Sequence, residues 1–226
     1  MNKKNFLEWY DEETRHFLKE KEKIKKPYSV KFKGVKLTIF PNVWDPIWGK
    51  STKIVSDVMK IKKNQKVLDI GTGSGILSIL AAKRGARVIA IDINKHALKC
   101  AKLNVRKNKL EKRINIRYSN IFSNIKGRKF DIILFNPPQR NIKPKSYLGK
   151  ACFDYKMKII TNFLSNVKKF MNPNRKIYLS YGNAGEIKKL EELIRKAGFS
   201  YIIKKKVPLG RKIYRIYEIK DKTNHF

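Results

Sequence analysis

The sequence predicts an α/β fold, a mostly parallel sheet with helices packed on both faces. Three observations carry that expectation. Apolar runs of strand length recur at residues 67–70, 88–91, 114–118, 130–135 and 176–180. Between them lie segments with helical apolar spacing, the alternation expected where successive strands run parallel and need crossover connections. The first of these strands, Val67-Leu68-Asp69-Ile70, runs into Gly71-Thr72-Gly73-Ser74-Gly75 and then into a helix-period pattern from Ile76. A glycine-rich turn between strand and helix offers main-chain N–H groups and the positive end of a helix to a ligand.

Taken in order, the chain opens with a mostly charged helix expected from about Asn5 to Lys26, with Phe6, Leu7, Tyr10, Phe17, Leu18 and Ile24 on a rough stripe. It serves either as a solvated edge helix or as part of a substrate-docking surface. Pro27 ends it. Tyr28–Phe32 and Val35–Phe40 flank Lys33-Gly34 and predict a β-hairpin. The stretch from Pro41 to Thr52 holds Trp44 and Trp48, and Ser51 or Thr52 is placed to cap a helix from Lys53 to Met59. After the strand ending at Asp92, Asn94 should cap a helix running to about Val105. Later helices are expected from about Asp154 to Phe170 and from Glu186 to Ala197, the second closed by Gly198. Two last strands, Tyr201–Ile203 and Ile213–Tyr217, are joined by Pro208-Leu209-Gly210. At 226 residues this makes an N-terminal helix-and-hairpin extension, residues 1–48, and one principal domain, residues 49–226.

Charge is the loudest compositional feature. Lys plus Arg number 54 against 18 Asp plus Glu, a net of +36. Lysine-rich codon usage does not by itself suppress acids, so the excess points to a polyanionic partner, RNA or the ribosome. No apolar run approaches the ~20 residues of a membrane-spanning helix. Cys100 and Cys152 form no C-x-x-C pair, and His16, His96 and His225 do not cluster in sequence. These features predict a reduced, cytoplasmic, metal-free protein without a membrane partner.

The glycine loop has the spacing G-x-G-x-G, with Ile76 where a dinucleotide fingerprint would carry its third glycine. The acid Asp92 closes the next strand, about 20 residues on, where an acid can accept hydrogen bonds from ribose hydroxyls. VLDIGTGSG and VIAID together resemble the class I S-adenosylmethionine-dependent methyltransferases of the small-domain type, from about Val35 to the C-terminus. The resemblance implies a Rossmann-like seven-stranded sheet with an antiparallel last strand, and S-adenosylmethionine as cofactor. It assigns cofactor contacts to Asp69, Gly71, Thr72, Gly73, Ser74, Gly75 and Asp92, with Asn120, Ile93 and Ile121 around the adenine. Asn120 stands where the family usually carries an acid.

Asn136-Pro137-Pro138-Gln139, after the fourth core strand, resembles the N-P-P-(Tyr/Phe) loop of methyltransferases that act on planar nitrogens. The context SNIFSNIKGRKFDIILFNPPQ is similar to that of the release-factor glutamine methyltransferases. A conjugated nitrogen is a poor nucleophile. The Asn136 side-chain oxygen and the Pro137 carbonyl can accept its two hydrogens, and the prolines stiffen the loop. Gln139 replaces the family's aromatic residue, so Trp44, Tyr147, Phe153 or Tyr155 would have to stack on a flat target. Trp44, Arg140, Lys205 and Arg211 are the candidate substrate contacts, the three cations gripping phosphates beside the target. Two acceptors remain open: an RNA base amine, favoured by the charge, and a protein glutamine, favoured by the loop context.

Overall fold

The computed structural model describes residues 3–222; His225 lies outside them. Helix α1 (Lys3–Glu22) leads into the hairpin β1 (Tyr28–Phe32) and β2 (Val35–Ile39). Lys33 and Gly34 both take positive φ there, as a two-residue turn that follows the strand twist requires. The principal sheet is built from β3 (Lys66–Ile70), β4 (Arg87–Asp92), β5 (Ile114–Tyr118), β6 (Phe130–Phe135), β7 (Met171–Gly182), β8 (Phe199–Leu209) and β9 (Lys212–Asp221). Its order is β5-β4-β3-β6-β7-β9-β8. The five strands from β5 to β7 are parallel, and β9 runs antiparallel to both its neighbours. This is the Rossmann-like methyltransferase sheet with its C-terminal hairpin.

Alternation along the central strands supplies two cores. Val67, Ile132, Leu134 and Tyr178 face α2 (Ser51–Val58), α3 (Ile76–Lys83) and α4 (Lys95–Lys107). Leu68, Ile70, Ile133, Phe135, Ile177 and Leu179 face α6 (Lys158–Asn166) and α7 (Ile187–Lys196). Each strand buries both faces, so its sequence is a continuous apolar run. Phe32, Val35, Leu37 and Ile39 of the hairpin share the first core. Buried Asn104 of α4 staples the hairpin there, accepting from the Thr38 N–H and donating to its carbonyl.

Several elements depart from expectation. α1 stops at Glu22, before Pro27. α2 starts at Ser51, and its cap, Lys50, makes no side-chain capping bond; Ser51 has another partner, described below. The helix expected over 154–170 is broken. α5 (Tyr147–Cys152) is capped by Ser146, and Lys156 and Met157 then take positive φ before α6 begins. Asp154 turns the chain by accepting from the N–H groups of Ile159 and Ile160, at 2.9 and 3.0 Å. β7 begins at Met171, not Lys176, because an irregularity in its register with β6 accommodates Pro173. The closing hairpin turns on Gly210-Arg211 alone, with Pro208 and Leu209 paired inside β8.

Candidate active site

Ligands of open α/β sheets bind beyond the carboxyl ends of the strands. A cavity of about 870 Å³ opens there, over the ends of β3, β4, β5 and β6. Gly71, Thr72, Gly73 and Ser74 form one wall; Asp92, Ile93, Asn120 and Ile121 form a second; Asn136 to Arg140 form the third. Trp44 and Trp48 close a side, and α1 lies across the top through Tyr10, Thr14 and Phe17.

The glycine loop is held from beneath by Asp69. Its buried carboxylate accepts from the hydroxyls of Thr72 (2.7 Å) and Ser78 (2.6 Å) and from the Ser78 main-chain N–H. The positive end of α3 is therefore already facing an anion of the chain itself, which suits a loop that does not bind pyrophosphate. Burial raises the Asp69 carboxyl above its ordinary value, and these hydrogen bonds oppose the shift. Gly71, Gly73 and Gly75 have φ of 68°, 56° and 85°. A Cβ on Gly71 would meet nothing within 4 Å, so its open side is cavity, whereas one on Gly75 would lie 3.2 Å from Ala101 Cβ. Gly71 leaves room for a ligand; Gly75 leaves room for α4.

Asp92 at the end of β4 accepts from the Gly73 N–H at 2.9 Å and the Asn94 N–H at 2.8 Å, one on each carboxylate oxygen. Each oxygen keeps lone-pair capacity towards the cavity. Burial raises this carboxyl too, against the N–H groups of Asn94, Gly73 and Ile93. Asn94 caps α4 as expected, accepting from the His96 N–H, and its amide donates to the Asn42 carbonyl, tying the tryptophan loop to the sheet. Ile93 is exposed, Ile121 is buried at φ 50°, and Asn120 is exposed between the strand end and the solvent.

At the end of β6, Asn136 Nδ2 donates to Ser51 Oγ at 3.0 Å, which turns the other end of the carboxamide, an acceptor, away from Ser51. Gln139 is fastened at both ends. Its N–H donates to the Cys152 carbonyl at 3.0 Å, and its Oε1 accepts from the Gly182 N–H at 2.7 Å.

Among the substrate-contact candidates, Trp44 lines the cavity and packs edge-on to Trp48, ring centroids 5.4 Å apart. Arg140 does not reach outward to phosphates. It is 4% exposed, ion-paired with Asp11, and its guanidinium lies 4.3 Å over the Tyr10 ring. Lys205 is exposed on β8, at the sheet edge, and Arg211 lies 5.3 Å over the Trp9 ring at the hairpin turn; neither lines the cavity. Of the proposed stacking residues, Tyr147 and Phe153 line the cavity and Tyr155 does not. The sequence concealed the roof. Tyr10, Thr14 and Phe17 belong to a charged helix with no local mark of a site, and only long-range packing through Leu18 against Leu148 and Phe153 brings them there. Ser51, taken for a cap, is instead the partner of Asn136.

A parallel sheet with a glycine loop, a strand-terminal acid and an Asn-Pro-Pro turn around one cavity defines a nucleoside-binding α/β protein. The methyltransferase small domain family model matches residues 47–195, and the chain belongs to that family. It is 39% identical over 127 residues to a Methanocaldococcus jannaschii protein provisionally named a protein N5-glutamine methyltransferase, covering 54% of this chain and 62% of that one. It is 30% identical over 184 residues to the release factor glutamine methyltransferase of Borreliella burgdorferi, covering 76% of this chain and 64% of the relative. The chain thus spans less than two thirds of either relative. In fold it is like the crystal structure of a methyltransferase from Pyrococcus furiosus, with a TM-score of 0.65 and 21% identity, covering 84% of this chain and 91% of that one. Among the described residues no helix is long and apolar enough to cross a membrane.

Proposed function

We propose that the chain is an S-adenosylmethionine-dependent N-methyltransferase whose acceptor is a glutamine side-chain amide in a protein of the translation machinery. The observation that carries this reading is the Asn136-Pro137-Pro138 turn, which shares one cavity with the glycine loop and Asp92. The named activities of the two relatives, both glutamine methyltransferases, support the choice of acceptor.

The residues fit the cofactor. The open side of Gly71 leaves space for its methionine portion, both Asp92 oxygens have capacity for ribose hydroxyls, and Ile93 and Ile121 offer apolar faces to the adenine, with Asn120 at its edge. When bound, this cofactor supplies a methyl group already activated on a sulfonium. The chain's task is therefore positioning, with no strong base required. Asn136 Oδ1 and the Pro137 carbonyl accept the two hydrogens of the target amide and bias its nitrogen away from planarity. Ser51 holds the Asn136 carboxamide in the orientation that frees its oxygen. α1, Trp44 and Trp48 cover the cavity and limit water.

A second reading, an RNA base amine, is favoured by the net charge of +36. Against it, Gln139 is committed to Gly182 and has no aromatic face to stack on a base. The two separate in one experiment. The protein is incubated with tritiated S-adenosylmethionine and, in parallel, release factor, ribosomal proteins and ribosomal RNA from the source cells. Label in a protein fraction, mapped by mass spectrometry to a glutamine, is expected. Label confined to RNA overturns the glutamine assignment.

A further inference from the structure

Arg140 follows the Asn-Pro-Pro-Gln turn directly, and its environment is built in detail. Its main chain is pinned by the Cys152 carbonyl, at 3.0 Å, and by the Asp154 N–H, at 2.8 Å. Of its side-chain nitrogens, Nη2 donates to the Leu7 carbonyl at 3.1 Å and pairs with Asp11. Nη1 is buried, faces no acceptor among the described residues, and belongs to a side chain that lines the cavity. Burial draws the guanidinium down to about 10, which leaves it cationic at neutral pH. A buried charged donor without a partner is destabilising, and proteins seldom retain one without a use.

The surrounding charges select the ligand. Tyr10 lies between Arg140 and Lys212, whose Nζ is 4.5 Å from the ring centroid and pairs with Glu13 at 2.8 Å. Two cations thus face two carboxylates, Asp11 and Glu13. A phosphate would add a further negative charge to a balanced, largely desolvated cluster, whereas a neutral carbonyl oxygen needs no counter-charge. The target amide's own oxygen is a poor candidate. A cationic donor there would draw the nitrogen lone pair into the carbonyl and oppose methylation.

We propose that Arg140 Nη1 is a substrate contact, donating to a main-chain carbonyl of the polypeptide beside the target glutamine, with Tyr10 and Lys212 forming the wall of that peptide subsite. The inference rests on the glutamine reading. It assigns Arg140 to substrate binding, unlike Asn136, which contacts the reacting amide.

The test is steady-state methylation of the protein substrate by R140K and by the double variant R140M/D11N. Lysine keeps the charge but lacks the second arm of the fork; the double variant removes the buried pair together, so that no charge is stranded. Both should retain affinity for S-adenosylhomocysteine, measured by calorimetry, and a wild-type melting profile. Their KM for the substrate protein should rise about tenfold with kcat changed little, the loss of one charge-assisted hydrogen bond. A wild-type KM in either folded variant overturns the inference while leaving the glutamine reading intact. So does a fall in S-adenosylhomocysteine affinity in step with KM, which marks a roof support. Label transferred by the wild type to RNA alone overturns both.

Discussion

The side-chain oxygen of Gln139 accepts the main-chain N–H of Gly182 at 2.7 Å, and so locks the turn after β6 to the end of β7. Gly182 is itself confined, because a Cβ there would stand 2.5 Å from the Ile213 carbonyl oxygen of β9. Three neighbouring strand ends are thereby held together at the position where the methyl acceptor must be held still.

Replacing Gln139 should therefore impair the reaction without emptying the cofactor site. For Gln139→Ala we expect transfer to fall about tenfold, of the order of one lost buried hydrogen bond, with S-adenosylhomocysteine affinity unchanged. Gln139→Tyr restores the family's aromatic residue but strands the Gly182 N–H, so it should also be slower than the wild type. Single-turnover rates check this, and a faster Gln139→Tyr enzyme would show that the lock is dispensable.

Asn136 and Ser51 should separate into a large and a small effect. Asn136→Ala removes an acceptor for the target nitrogen and should lower kcat by ~100-fold or more, the scale seen when one well-placed polar group is lost from an active site. Ser51→Ala removes only the group that orients Asn136, at 3.0 Å, and should cost roughly three- to tenfold. Equal losses in the two variants would contradict this division of roles.

The loop glycines should fail differently. Gly75→Ala combines a φ of 85° with a contact to Ala101 at 3.2 Å, and should lower stability by ~1–3 kcal/mol. Gly71→Ala has φ of 68° but meets no protein atom within 4 Å, so its stability loss should be smaller, ~1–2 kcal/mol. Its new methyl enters cavity space, and S-adenosylhomocysteine affinity should drop by at least about tenfold. Thermal melting and calorimetry on the two variants read these effects separately.

Asp92 should make cofactor affinity pH-dependent. Burial holds its folded-state carboxyl above the ordinary value. For stability, a raised carboxyl means that the native state binds the proton more readily than the unfolded chain, so the contribution is present at low pH and is lost as pH rises through the raised value. Binding has the opposite sign, because ribose hydroxyls donate to the carboxylate. Affinity for S-adenosylhomocysteine should be full at neutrality and fall as pH drops through the raised value, before ordinary carboxylates titrate near ~4. Calorimetry from neutrality down to about pH 5 checks it. A profile as flat as that of Asp92→Asn would remove Asp92 from the ribose site.

The sequence by itself determined the sheet and its cofactor end. Strands buried on both faces must be continuous apolar runs, so β3, β4, β5 and β6 were legible within about one residue. The glycines at 71, 73 and 75 and the acids at 69 and 92 lie within or beside those strands, where local geometry dictates residue type. Tertiary structure alone decided the acceptor end of the cavity. Nothing local in a charged N-terminal helix marks Tyr10 as a roof residue, or Arg140 as its buried partner rather than an outward cation. Ser51 and Gln139 likewise take their meaning from partners 85 and 43 residues away. Such bonds depend on how distant elements pack, and a side chain's local sequence carries no trace of the partner that packing brings to it.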